Sequence, residues 1–368
     1  MFAKTDINTG RQVEFDYLKG LFIPMILLIH AFQMLGGKAA VVPAYQITYI
    51  IATMTGAAIF MFVLGFGTVY SGRNDKTLLL AGVRLVIMEF IWNALSLSLP
   101  MILGQLLRIA TGHSPAWTET FARIPSMLQY INIFFIAGMC YIVIVLLRKL
   151  RLPTIGYILL AIILFVTVPF MYMEGKTTGN SVVDYILTTF VGGRPAVSLN
   201  FIALLPHAVL GVGFGKILRR TTNKGKLYGI LALPLTVIVT SYFVYAFSSH
   251  TNLDALYAYS GKGYIYPDAL RGLANAASIL LLAGLLYALR NVIGGCKPLH
   301  NAIIHLNRYN TPYYAIHPFW FGIIAATAAY SPFSATLCTI LAIAVWVVCF
   351  VTILLWKRLF KSKAPVKK

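Results

Sequence analysis

The chain has 368 residues, 59% of them hydrophobic and 11% charged, with a mean hydropathy of +0.80; no soluble domain of this length needs so much apolar surface. The formal net charge is +20, yet the basic residues lie beside predicted helix ends and form no aromatic-interleaved basic domain, which argues against a nucleic-acid partner. Composition therefore predicts an all-α, polytopic helical bundle in the lipid bilayer of the cell membrane.

Ten apolar spans are predicted in chain order, at 15–35, 46–70, 78–103, 126–147, 153–173, 197–218, 227–247, 267–289, 309–330 and 333–356. They form one domain over residues 1–368, flanked by a polar segment, 1–14, and a basic tail, 357–368. The first span lacks a small-residue cleavage pattern and is expected to stay as an anchor. Gly65, Gly67, Pro169, Pro206, Gly211 and Pro234 would break soluble helices but are ordinary in bundled membrane ones. With the N-terminus inside, the Arg148-Lys149-Arg151 cluster and the cluster from Lys216 to Lys226 fall on the cytoplasmic side. The outside segments keep Lys38, Arg108, Arg123, Lys176, Arg194, Lys262 and Arg271. This asymmetry predicts that both termini are cytoplasmic and that the tail rests on anionic lipid. Three outside segments are long. These are 104–125, 174–196 and 248–266; the first has the mixed composition of a short interfacial helix, and the last, rich in Tyr and Gly, suits an aromatic belt or a saccharide-facing lid.

Eleven residues separate Lys19 from His30 in the first span. On an α-helix the two side chains fall about 20° apart around the axis, with a rise of about 16 Å. Asp16, three residues before Lys19, shares that side. Ionisable groups at membrane depth are costly unless they face protein, water or substrate. Neutral imidazole is the usual base near neutral pH, so His30 is the candidate to deprotonate a hydroxyl or amine; attack on a thioester by the ring itself and simple helix packing are the other readings. Lys19 suits a phosphate at the cytoplasmic mouth, whereas mutual neutralisation with Asp16 or snorkelling accounts for it equally simply.

In the third span the guanidinium of Arg84 calls for a partner, either Asp16 or an anionic ligand. Glu89, with Asn93 at i+4, makes a second polar stripe. Glu89 is read as orienting His30 or sharing a proton with it, or else as the salt-bridge partner of Arg84. Asn93 and His207, the latter next to Pro206 in the sixth span, are candidate acceptor contacts; Asp268 and Arg271 open the eighth span as substrate contacts or helix-end groups. In the ninth, RYNTPYYAIHPFW puts Tyr313, Tyr314 and His317 into a polar, aromatic wall suited to a ring such as adenine. His113, His250, His300 and His305 read as solvated loop residues. Cys140, Cys296, Cys338 and Cys349 have no CxxC or metal spacing, so neither a disulfide framework nor a metal site is expected.

The stretch FDYLKGLFIPMILLIHAF resembles the opening helix of the integral-membrane acyltransferase family 3. Its members show an Asp, a basic residue and Gly, then a His eleven residues after the basic one; here these are Asp16, Lys19, Gly20 and His30. The family usually has Arg at the position of Lys19, and Lys keeps the charge without the bidentate fork. RYNTPYYAIHPFWF resembles the family's late SY-x-x-YLxHxP motif through Tyr313, Tyr314, His317 and Pro318, with Asn310-Thr311-Pro312 as a departure. FMFVLGFG and NFIALLPHAVLGVGFGK are also similar to the heparan-alpha-glucosaminide N-acetyltransferase group of the wider superfamily.

The resemblance implies acyl transfer from a cytoplasmic donor, typically acyl-CoA and most simply acetyl-CoA, to an outward-facing acceptor such as a cell-envelope glycan. Joined to the residue reading, it puts His30 and Glu89 at the reaction centre. Asp16, Lys19, Arg84, Tyr313 and His317 fall to the donor, and Asn93 and His207 to the acceptor. Attack on a thioester then needs a base, positioning and a donor for the developing oxyanion, with no metal. Two other classes compete. A transporter or flippase for a lipid-linked or anionic solute would use Asp16, Lys19, Arg84 and Glu89 as a charge relay, and a nonenzymatic membrane partner or sensor would tolerate the loss of all four. The acyl chain, the acceptor and the oligomeric state have no signature in the sequence.

Overall fold

The computed structural model of the protein describes residues 2–171, 178–191, 199–261 and 268–361. Among these residues it forms α1 (Val13–Ala31), α2 (Pro43–Thr53), α3 (Gly56–Tyr70), α4 (Asp75–Trp92), α5 (Leu99–Ala110), α6 (Trp117–Leu128), α7 (Ile133–Lys149) and α8 (Thr154–Met171). There follow α9 (Ser181–Val191), α10 (Phe201–Arg220), α11 (Lys224–Ser249), α12 (Leu253–Gly261), α13 (Ala269–Gly295), α14 (Lys297–Arg308), α15 (Asn310–Thr327) and α16 (Ala335–Lys361). A π-helical segment, Phe32–Gly36, continues α1, and a second, Asn93–Ser98, joins α4 to α5. No β-strand occurs among the described residues, where a single isolated bridge pairs Phe2 with Thr221.

The architecture is all-α and polytopic. Among the described residues eight stretches are long and apolar enough to cross a membrane: Val13–Gly36, Pro43–Tyr70, Asp75–Ala110, Thr154–Met171, Phe201–Arg220, Lys224–Ser249, Ala269–Gly295 and Ala335–Leu359. In hydrocarbon every backbone N–H and C=O must be satisfied internally, which a helix does within one segment. The predicted fourth and ninth spans are helical as well, as α7, of 17 residues, and α15, of 18.

Several boundaries differ from the sequence expectation. The fourth span starts at 133 rather than 126, because Asn132 Oδ1 accepts from Ile133 N at 2.8 Å and starts α7 afresh after α6 has ended. The second span divides into α2 and α3 at Met54 and Thr55, whose amides bond back three residues to Ile51 and Ala52. The helix expected within 104–125 is α6, which extends three residues further. His300 and His305 lie on α14, not in a loop. Lys176, Arg194 and Lys262, with residues 174–177, 192–196 and 262–266 and the tail beyond 361, lie outside the described residues.

The chain divides into two compact units. The first comprises Met1–Leu18, Gln46–Ile91 and Gln129–Cys296. At its centre α3 and α10 touch backbone to backbone: a Cβ on Gly65 would lie 1.9 Å from the Ala208 carbonyl oxygen, and one on Gly211 2.0 Å from that of Phe62. Only hydrogen fits there, as in close helix pairs in membranes generally. Side-chain caps start three more of its helices, with Asn200, Asn223 and Asp268 accepting from the backbone of α10, α11 and α13. Buried Glu14 is paired with Lys224 at 3.1 Å and accepts from Tyr228 Oη at 3.3 Å. The second unit comprises Lys19–Tyr45, Trp92–Leu128 and Lys297–Lys368. There α5 and α15 are tied by buried Gln105, which donates to Ala326 O at 3.0 Å, and by Arg108, which donates to Thr327 O at 2.9 Å.

Candidate functional site

The second unit gathers the two motif-bearing helices. Within it α15 packs against both π segments, a geometry that recurs at functional sites because the extra residue per turn re-aims side chains. His30 occupies the last turn of α1, just ahead of the first π segment. Its Nδ1 lies 2.6 Å from His317 Nε2, and the ring centroids are 4.9 Å apart. His317 Nδ1 in turn lies 2.8 Å from the carbonyl oxygen of Tyr313, one turn back on α15.

These contacts fix the tautomers. A carbonyl only accepts, so His317 Nδ1 carries a proton; the Nε2 of that neutral ring is then an acceptor, and His30 Nδ1 must donate to it. His30 Nε2 is left with its lone pair, the form required of a base or a nucleophile. His317 has 0% exposure, whereas His30 keeps part of its surface accessible.

Aromatic side chains frame the pair. Tyr314 sits edge-on to His30 at 6.4 Å and to His317 at 5.7 Å, and stacks on Trp92 at 5.7 Å. Trp92 Nε1 donates to Ala315 O at 3.2 Å, which locks the indole to α15. The sequence reading passed over Trp92; its one signal was an indole N–H in an apolar run, a group that needs an acceptor when buried. Of the predicted wall, Tyr314 keeps accessible surface, while the Tyr313 ring is fully buried and contributes its carbonyl. Lys19 is half-buried on α1, the helix that also carries His30. Asn93 is buried and donates to Leu128 O at 3.2 Å, tying the end of α6 to the second π segment.

The remaining predicted residues belong to the first unit. Asp16 forms an ion pair with Arg11. Arg84 is exposed on α4, among exposed Leu80, Val83, Ile87 and Met88, and forms no ion pair among the described residues. The expected Arg84–Glu89 bridge is therefore absent there. Glu89 is buried, and its Oε2 accepts from Phe135 N at 2.9 Å, in the first turn of α7. A carboxylate is favoured where a helix presents unpaired N–H groups. The hydrogen bond recorded at His30 Nδ1 is with His317. His207 is 1% exposed and packs edge-on against Phe165 at 4.9 Å. Asp268 and Arg271 are helix-end groups: Asp268 caps α13 and accepts from Tyr259 Oη at 3.0 Å, and Arg271 donates to the Tyr259 carbonyl at 3.0 Å.

Outside the membrane-spanning segments, His305 on α14 is held below the usual imidazole range by burial and then by the charges of Lys357 and Arg308. It packs on Tyr309 at 4.8 Å and Phe350 at 5.2 Å, so it is not the solvated residue expected. Among the described residues no group of three His, Cys, Asp or Glu side chains is placed to hold a metal ion.

A family model described as an acyltransferase domain, that of acyltransferase family 3, matches residues 12–356. No curated protein and no solved structure matches the chain. With nearly the whole chain covered, and with both motif histidines inside the matched region, the protein belongs to acyltransferase family 3 and is a membrane acyltransferase.

Proposed function

We propose that the protein moves an acyl group, most simply acetyl, from cytoplasmic acyl-CoA to a hydroxyl or amine of a cell-envelope glycan or another extracytoplasmic acceptor. His30 Nε2 takes the proton of the acceptor O–H or N–H as that atom bonds to the thioester carbonyl carbon. The tetrahedral intermediate collapses, the C–S bond breaks, and the departing thiolate takes the proton back from His30. His317 is the positioning residue. It holds the Nδ1–H of His30, and the bond strengthens as His30 becomes an imidazolium, the logic by which a buried third group serves a catalytic histidine elsewhere.

The His30–His317–Tyr313 chain of hydrogen bonds is the observation that carries this reading. Lys19, on the same helix as His30, is the donor-side cation for a phosphate of CoA, and Tyr314 with Trp92 offers an aromatic face beside the base. Asp16 and Arg84 remain candidate donor contacts through charge alone. For the acceptor, Asn93 and His207 would act through the segments they brace, and Glu89 through its hold on α7. A transporter has no need of a tautomer fixed in this way.

The test is acyl-CoA turnover by purified protein, followed as free thiol release with and without a glycan acceptor. Wild-type protein is expected to release thiol in an acceptor-dependent manner. Equal turnover by a folded His30→Ala protein would remove His30 as the base.

A further inference from the structure

The first unit contains a cavity of about 480 Å³ that the reaction above does not use. Four cations line it, Arg148, Lys216, Arg219 and Arg220, with Asp6 as the lining carboxylate and Thr154 at the start of α8. Three of the four come from the last turns of one helix, α10, and the fourth from the end of α7. The N-terminal segment closes over them: Ala3 N donates to Arg220 O at 2.7 Å, Ile7 N to Arg219 O at 2.8 Å, and Asn8 Nδ2 to Leu218 O at 3.0 Å. The terminal carbonyls of α10 are thus met by backbone and amide donors, which leaves its basic side chains to other uses.

Part of their hydrogen-bonding capacity is spent within the protein. Arg219 donates to Val69 O at 2.9 Å and pairs with Asp6 at 2.9 Å; Arg220 lies 3.6 Å from Asp6; Lys216 donates to Leu152 O at 3.3 Å; Arg148 donates to Thr68 O and lies 3.4 Å from Asp75. Each guanidinium has five N–H groups and the ammonium three, so donors remain on every one. Arg219 Nε is buried without a partner. The two carboxylates, and helix ends worth about half a charge each, leave positive charge in excess. Topology signalling explains cations near helix ends, but it does not require that they converge on one cavity.

We propose that this cavity binds a phosphate-bearing anion, a phosphomonoester or pyrophosphate group held by Arg148, Lys216, Arg219 and Arg220. Such a group reaches the predicted cytoplasmic face from two sources, an anionic lipid headgroup or a soluble phosphoester. The site does not depend on His30, and its test reads binding rather than turnover.

Full-length protein in nanodiscs is titrated with inorganic pyrophosphate and with adenosine 3′,5′-bisphosphate, and in parallel its retention of phosphatidic acid is measured by native mass spectrometry. Saturable binding of a soluble probe assigns the soluble source; selective retention of phosphatidic acid over phosphatidylcholine assigns the lipid source. In either case the Lys216→Gln/Arg220→Gln protein is expected to bind about tenfold or more weakly, and binding is expected to fall with added salt. If the double variant does not fold, Arg220→Gln alone, whose side chain is 57% exposed in wild type, is expected to weaken binding several-fold with an unchanged melting temperature. The His30→Ala protein is expected to bind as wild type does. Absence of saturable binding in both arms, or unchanged affinity in the folded basic-residue variants, overturns the proposal.

Discussion

His30 Nδ1 and His317 Nε2 are 2.6 Å apart although 287 residues separate them in sequence. With His317 itself bonded to the Tyr313 carbonyl, the pair is directional, from accessible ring to sealed ring to backbone. Replacing His30 by Ala is expected to lower acyl transfer about 100- to 10,000-fold, the range for removal of a general base. Thermal unfolding should change little, because the ring keeps accessible surface. Steady-state thiol release, measured beside a melting curve, checks both halves.

His317→Gln and His317→Phe separate orientation from packing. If the sealed ring acts only through His30, as proposed, KM for acyl-CoA should stay within about twofold while kcat falls about tenfold or more, the cost of a hydrogen bond to a developing charge. Gln can still accept from His30 Nδ1 and should retain more activity than Phe. A raised KM with unchanged kcat would assign His317 to the donor instead.

Glu89 is expected to act on stability. Glu89→Ala orphans the Phe135 amide in the first turn of α7 and should cost about 1–3 kcal/mol, whereas Glu89→Gln keeps an acceptor and should cost less. Detergent melts of the two variants test the order, and the turnover of the Gln protein, normalised to folded protein, should remain within about threefold of wild type.

Gly65 and Gly67 share the segment FMFVLGFG but should respond differently. A methyl group on Gly65 meets the Ala208 carbonyl at 1.9 Å, where neither backbone can yield, while one on Gly67 meets nothing within 4 Å. Gly65→Ala is expected to cost at least about 3 kcal/mol, at or beyond the upper end for overpacking, and to reduce the yield of monodisperse protein. Gly67→Ala should be indistinguishable from wild type by size-exclusion profile and melting temperature.

His305 predicts a pH dependence. Burial, Lys357 and Arg308 hold its folded-state pKa below the unfolded value of about 6.5. As pH falls below that value, the unfolded chain takes up the proton first and stability declines; above it, this residue contributes no pH dependence. Melting temperatures between pH 8 and pH 5 should fall less steeply for His305→Phe than for wild type. Parallel slopes would show that His305 does not contribute.

Apolar length located the helices well, because a lipid-spanning helix needs little more than about twenty residues of sustained hydrophobicity. The breaks at Met54–Thr55 and before Ile133 are hard to read because the first needs only two rearranged backbone bonds and the second only the side chain of one Asn. The site shows the same division. His30 and His317 stood out by motif and by membrane depth, but periodicity assigns a residue to a face of its own helix and says nothing of what another helix presents to it. Glu89 was given a side-chain partner, whereas its partner is an amide of Phe135, a group that every residue but Pro carries and no sequence pattern marks. Arg84 reads from sequence as needing Asp16 or an anionic ligand; it is exposed, where its long stem can carry the charge toward the headgroup region. Trp92 was missed because an indole in an apolar run looks like any other core residue until its N–H finds the Ala315 carbonyl.

The Tyr313 carbonyl has a consequence for the membrane itself. An amide oxygen is far too weakly basic to be protonated at physiological pH, so the hydrogen-bonded series through His30 and His317 has an entrance and no exit. Under the proposed reaction a proton taken from the acceptor must return through the same nitrogen to the leaving sulfur. An enzyme built in this way can do acid–base chemistry inside a bilayer without conducting protons along this chain, and so without discharging the electrochemical gradient across the membrane that houses it.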